Sequence, residues 1–266
     1  MGRGATVSPL LEVKGISRVY GGIKAVSDLS FNVVASEIVG LIGPNGAGKS
    51  TVVNVVTGMV PASKGTVMMN GEDVTNLRPN RLVHRGLVRT FQATTLYREQ
   101  TVLENAIRGA YLQSYAGFFA CLFNTPDAKK REKVGEALVW DLLNSFKLAR
   151  FADKRADALP YGHQKLLGMV VALAARPKLI MLDEPVAGLS SQEVDLVLEA
   201  ILHMRDRGIT VVVIDHNMRF IANLCNRVVV LQNGRELAHG VPEDVLTNPN
   251  VIEAYLGKRH AAPASR

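Results

Sequence analysis

Between an apolar run, Glu37–Ile42, and a helix-compatible one, Thr51–Thr57, the chain reads Gly43-Pro44-Asn45-Gly46-Ala47-Gly48-Lys49-Ser50. This fits the pattern G-x-x-x-x-G-K-[ST] and constrains the fold more than any other stretch. Glycines let the backbone turn sharply enough for successive N–H groups to converge. The helix that follows adds the positive end of its dipole. Such a concave set of donors suits phosphate. Lys49 is then placed to reach the outer phosphates and Ser50 to hold Mg²⁺. The competing reading is a glycine-rich turn beside a lysine. Strand, loop and helix standing in the required order favour the phosphate cradle.

The 266 residues suffice for one large domain or a core with a substantial insertion. A hydrophobic content of 47% supports a sizeable buried core and argues against disorder. The net charge of +7 suits nucleic acid, anionic lipid or nucleotide phosphates without choosing among them. Two cysteines, Cys121 and Cys225, lack metal-ligand spacing, which argues against a disulfide framework or a zinc site and suits a reducing compartment. Met1–Pro9 lacks the apolar core of a signal peptide, and no run has the length and apolarity of a membrane span. The expectation is a soluble protein with flexible ends at 1–9 and 259–266.

Leu10–Val19 and Leu29–Val34 read as strands. Two Asn-Gly pairs, Asn70-Gly71 and Asn233-Gly234, separate strand-like runs and predict hairpins. Ile38–Ile42, Leu179–Leu182 and Thr210–Ile214 are nearly continuous apolar runs, the mark of parallel strands covered on both faces. Between the last two, Ser190-Ser191-Gln192-Glu193 is a capping box, and Val194, Val197, Leu198 and Ile201 share one helical face. This βαβ unit sets Asp183 and Glu184 at the C-terminal end of a buried strand, where open α/β sheets bind ligands. The middle, Thr101–Leu159, reads as a helical insertion, with Thr101 and Glu104 opening one helix and Asp127–Phe146 giving another.

Behind a phosphate loop, the two carboxylates gain distinct tasks. Asp183 supports Mg²⁺, and Glu184 polarises a water in line with the γ-phosphate. Taken alone, an Asp-Glu pair would be a solvated turn at a strand end.

These motifs, with Arg89-Thr90-Phe91-Gln92, Tyr161-Gly162-His163-Gln164, Val186–Ser190 and His216 in that order, resemble the ATPase subunits of ABC transporters. The likeness runs from about Leu10 to Gly257. It implies an α/β P-loop NTPase cassette with a RecA-like core, an antiparallel β subdomain and a helical subdomain insertion. A single domain over 10–258 would divide into 10–92 and 176–258 as core and β subdomain, with 93–175 as helical subdomain. The implied nucleotide contacts are Tyr20 stacking on adenine, the cradle Gly43, Pro44, Asn45, Gly46, Ala47, Gly48, Lys49, Ser50 and Thr51, and the signature Tyr161, Gly162, His163 and Gln164 acting across a dimer. Glu184, His216 and Gln92 would serve catalysis, with Ser50, Gln92 and Asp183 around Mg²⁺. Plainer roles stand beside these: Tyr20 as hairpin packing, Gln92 as a surface polar group, His216 as a strand cap.

The signature departs from L-S-G-G-Q, with Pro160, Tyr161 and His163 in place of Leu, Ser and the second Gly, and the helix after it carries Leu166, Leu167 and Ala172 where arginines usually stand. Gly86–Gln92, Thr101–Asn105, Leu159–Gln164 and the ending Gly240–Gly257 are similar to the branched-chain amino acid importer branch. That branch implies two membrane permeases, a second cassette of the same or sister sequence and an extracytoplasmic solute-binding protein. It also implies a peripheral place on the cytoplasmic face of the inner membrane. Urea or short amides are the alternative cargo. A soluble ABC ATPase working on ribosomes or nucleic acid is the alternative class, disfavoured because paired cassettes, a long coiled coil and aromatic-interleaved basic surface are absent. The uncharged stretch Gly109–Pro126, with Phe118 and Phe119, reads as helical core or as a docking surface.

Overall fold

The computed structural model describes residues 8–90, 96–111 and 125–256. β1 (Leu11–Tyr20) and β2 (Ile23–Val33) form a hairpin, β3 (Ile38–Ile42) runs into α1 (Lys49–Val56), and β4 (Lys64–Met69) turns into β5 (Glu72–Asp73). α2 (Pro79–His84), β6 (Leu87–Thr90), α3 (Val102–Gly109), α4 (Pro126–Ser145) and α5 (Tyr161–Ala174) follow, with short 3₁₀ turns at Ala149–Phe151 and Ala156–Ala158. The chain then alternates: β7 (Leu179–Asp183), α6 (Ser191–Asp206), β8 (Thr210–Ile214), α7 (Met218–Leu224), β9 (Arg227–Gln232) and β10 (Arg235–Gly240), closing with α8 (Pro242–Leu246) and α9 (Pro249–Leu256).

A six-stranded sheet ordered β10-β9-β3-β8-β7-β6 forms the centre, and a four-stranded antiparallel sheet ordered β2-β1-β4-β5 covers one side. Because side chains alternate across a strand, the central strands feed two cores. Ile38, Ile42, Ile180, Leu182, Val211, Val213, Val228 and Val230 face the helices α3 to α7. Val39, Leu41, Leu179, Met181, Val212, Ile214, Val229 and Leu231 face the antiparallel sheet and α1. The near-continuous apolar runs of the sequence are the two halves of that sandwich.

The expected hairpins form, with Asn70, Gly71, Asn233 and Gly234 all at positive φ. Three strands differ from their reading. β9 is more than the arm of a hairpin: it lies parallel to β3, pairing Val228 with Gly40, and so joins the chain's end to the central sheet. β6 was not expected as a strand, yet it edges the sheet in parallel register with β7, Val88 opposite Ile180. β2, the second arm of the first hairpin, is also longer, starting at Ile23 rather than Leu29.

In the helical region, Thr101 Oγ1 accepts the Glu104 N–H while the Glu104 carboxylate accepts the Thr101 N–H, closing the expected capping box on α3. Buried Asn105 fastens the approach to this helix. Its amide oxygen accepts the Tyr97 N–H, and its NH₂ donates to the Tyr97 and Thr101 carbonyls. The positions lacking arginines, Leu166, Leu167 and Ala172, are buried in the helical core, so apolar residues fit there on packing grounds alone. Phe118 and Phe119 lie outside the described residues.

Candidate active site

The loop from Gly43 to Gly48 runs from the C-terminal end of β3 into α1. Its glycines are required by shape. A Cβ on Gly43, at φ 150°, would lie 2.3 Å from the Leu231 carbonyl oxygen, and one on Gly48, at φ 102°, would lie 2.6 Å from that of Ala25. Neither oxygen can withdraw, since both belong to packed strands. Lys49 folds back over the loop and its ammonium donates to the carbonyls of Gly43 (2.6 Å) and Pro44 (3.0 Å). Burial pushes the Lys49 ammonium below its ordinary value, opposed by the Glu184 and Asp183 carboxylates. A cleft of about 490 Å³ brings together Asn45 to Thr51, Asp183, Glu184, Ile23 to Ala25, Asn233 and Gly234.

β7 delivers the acidic pair. Asp183 pairs with Ile214 of the neighbouring β8, and the next N–H, that of Glu184, donates to the Ile214 carbonyl at 2.7 Å. Glu184 sits in the left-handed region at φ 48°, an uncommon place for a long side chain. Asp183 is bound by Arg89 on β6, Nη2 to Oδ2 at 2.6 Å, and Arg89 Nη1 also donates to Asn54 of α1 at 2.6 Å. A serine hydroxyl and a carboxylate on the rim of one phosphate cradle are hard oxygen donors. They suit Mg²⁺, which takes one or two protein oxygens and completes its shell with water and phosphate.

His216 leaves β8 with its ring 63% exposed. Asp215 fixes the turn: it is fully buried, and its Oδ1 accepts the N–H groups of His216 (2.8 Å) and Asn217 (2.9 Å). Asn217 in turn caps α7 by accepting the Phe220 N–H. The second carboxylate oxygen of Asp215, Oδ2, accepts the Val186 N–H at 3.5 Å, in the segment after Glu184. Motif spacing marks His216 and not Asp215. A carboxylate just after a nearly all-apolar strand is the available sign that the turn needs a polar anchor.

The signature residues open α5. Tyr161 is 44% exposed, and the Gly162 N–H donates to Glu193 Oε1 of α6 at 2.9 Å. That glutamate also accepts the N–H and hydroxyl of Ser190, and these bonds hold its carboxyl below the usual range. Gln164 donates to the Leu159 carbonyl. The His163 ring meets Phe151 edge-on at 5.3 Å and lines a cavity with α6, rather than standing beside Tyr161. Tyr20 closes β1 with the Arg18 guanidinium 4.5 Å from its ring centre, next to the cleft that Ile23 lines. Gln92 lies outside the described residues.

A separate apolar groove of about 240 Å³ runs between β6 and α5, lined by Val83, Val88, Leu96, Met169 and Val171, with Arg89 and Asp183 at one end. Cys225 is buried, and desolvation, with the charge of Asp215 second, pushes its thiol up to about 12. Among the described residues, no group of three or more His, Cys, Asp or Glu could hold a metal ion by itself.

Comparison with known proteins gives this constellation a family. Residues 26–187 match the ABC transporter family, and residues 235–261 match the branched-chain amino acid ATP-binding cassette transporter family. The chain is 36% identical to the high-affinity branched-chain amino acid transport ATP-binding protein BraF of Pseudomonas aeruginosa, over 94% of this chain and 98% of that one. It is 37% identical to LivG of Escherichia coli, a protein of the same description, with the same coverage. The crystal structure of the ADP conformation of MJ1267, an ATP-binding cassette of an ABC transporter, superposes with a TM-score of 0.83 at 33% identity, covering 94% of this chain and all of that one. With a family match over most of the chain, relatives at 36% and 37% identity along nearly its whole length and a superposing cassette structure, this chain belongs to the ABC transporter ATPase family.

Proposed function

We propose that this ATPase powers an importer of branched-chain or closely related amino acids. One observation carries the catalytic part: Lys49, Ser50, Asp183 and Glu184 line a single cleft at the C-terminal edge of the parallel sheet. The cargo rests on the family matched by residues 235–261 and on the two named relatives. In this reading the loop amides and Lys49 hold the ATP phosphates. Ser50 and Asp183 hold Mg²⁺, which would neutralise charge on the β- and γ-phosphates. Glu184 accepts a proton from the attacking water, and His216, on its Asp215-anchored turn, faces the γ-phosphate. The N-terminus of α5 from a second copy or sister chain closes the other side, offering backbone N–H groups to the same phosphate. ATP then joins two cassettes and hydrolysis parts them, moving the permeases between orientations.

Residues 93–175 would form the helical subdomain and the rest of 10–258 the core with its β subdomain. Among the described residues no helix is long and apolar enough to cross a membrane. We therefore place the chain at the membrane through two permease subunits, with a solute-binding protein in the full system and no nucleic acid partner. Affinity purification from native membranes in mild detergent tests this. Two polytopic permeases with an amino-acid-type binding protein are expected. A urea or amide receptor would reassign the cargo, and ribosomal or nucleic acid partners without permeases would overturn the transport role.

A further inference from the structure

We propose that Arg89 is a positioning residue for the cation site, holding one oxygen of Asp183 so that the other is fixed toward the metal that accompanies ATP. This rests on the reading of Asp183 as the cation-bearing carboxylate.

The geometry is a clasp across three elements. Arg89 stands on β6, Asp183 at the end of β7, and Asn54 on α1, the helix that the phosphate loop opens. One guanidinium joins all three, through Nη2 to Asp183 Oδ2 and Nη1 to Asn54 Oδ1, both at 2.6 Å. The Arg89 and Asp183 side chains are each only 11% exposed. A planar, permanently charged fork in a covered place is poorly replaced by any other side chain. With Oδ2 taken, the carboxylate has one orientation, and Oδ1 is the oxygen left for the cleft that Asp183 shares with Ser50. Asn54 ties that orientation to the loop helix, so the two protein oxygens offered to the cation keep a fixed separation.

Two effects oppose one another. The arginine charge draws electron density from Asp183 and weakens its pull on a cation. The fork also removes the freedom that a metal would otherwise have to freeze out. Groups behind a metal ligand typically strengthen binding through orientation, and orientation is the effect assigned here. The adjacent Glu184 carboxylate makes the case stronger, because an unclasped Asp183 would swing away from it.

The test uses the full chain and a fluorescent ATP analogue, titrated in EDTA and then with increasing Mg²⁺, alongside thermal melts. Arg89→Ala is expected to bind the analogue in EDTA as the wild type does. The Mg²⁺ needed for half of the metal-dependent change should rise roughly 10- to 100-fold. Arg89→Lys keeps the charge but cannot fork to both partners, so it should recover only part of the shift. If Arg89→Ala loses its cooperative melt, the lysine variant carries the test. An unchanged or lowered Mg²⁺ half-point in a folded variant overturns the proposal. If Asp183→Asn keeps the wild-type half-point, the reading of Asp183 as cation ligand falls, which is a separable failure.

Discussion

At the scale of single residues, the proposed role of Glu184 as proton acceptor rests on how its backbone is set. Its left-handed backbone is fixed by the bond from its N–H to Ile214, so the side chain has a set point of departure into the cleft. Glu184→Gln should lower ATP turnover by roughly 10²- to 10⁴-fold, the usual contribution of a positioned base. With hydrolysis stopped, gel filtration in ATP should show a stable dimer. Retained turnover would assign the base elsewhere. Gly48→Ala should be as damaging for a different reason, since the new methyl has the Ala25 carbonyl 2.6 Å away. Loss of analogue binding with the melt largely kept would place the damage in the loop. These residues were legible in the sequence because their spacing alone defines the motif. Arg89 was not, because it matters through a partner that only the fold supplies, 94 residues along the chain; Asp215 acts on the two N–H groups that follow it, a local role that no motif spacing marks.

At the scale of elements, caps and anchors decide where the site's side chains start. Thr101→Ala removes both the hydroxyl that accepts the Glu104 N–H and one partner of that carboxylate. A loss of about 1 kcal/mol is expected in urea unfolding, as for other capping residues. Asp215→Ala leaves two turn N–H groups without their acceptor in a partly buried place. That should cost about 1–3 kcal/mol and lower turnover while analogue binding persists, since the turn carries His216 and not the phosphate cradle. Equal loss of binding and turnover would instead mean a general collapse. The capping boxes at Thr101 and Ser190 could be read directly, being bonds within four residues. β6 could not: Leu-Val-Arg-Thr is too short to show a period, and it is a strand because β7 offers it an edge. β9 looked like one arm of a hairpin for the same reason, as its second partner, β3, lies at the other end of the chain.

At the scale of the whole molecule, hydrogen-bonded surface carboxylates give the fold a defined response to acid. Glu193 is held below its ordinary 4.5 by Ser190 and Gly162, Glu104 by Thr101, and Asp157 below 3.8 by Arg155. A carboxyl lowered in the folded state stabilises it above the unfolded value and loses that contribution as pH falls through the folded one. The denaturation midpoint should therefore vary little from these groups near neutrality and drop once pH passes below 4.5. Glu193→Gln with Glu104→Gln should flatten that drop; an unaltered profile would assign the acid response to other groups. The overall architecture was legible, since alternating apolar runs, two Asn-Gly turns and one βαβ unit fix most of the sheet.

The ammonium of Lys49 already rests on two carbonyls of its own loop. In the proposed role, arrival of a nucleotide would be an exchange of partners. The lysine would give up backbone oxygens for phosphate oxygens, within a loop whose backbone is already set. Little ordering remains to be done at that moment, so affinity at this cradle measures the difference between two sets of acceptors for one cation.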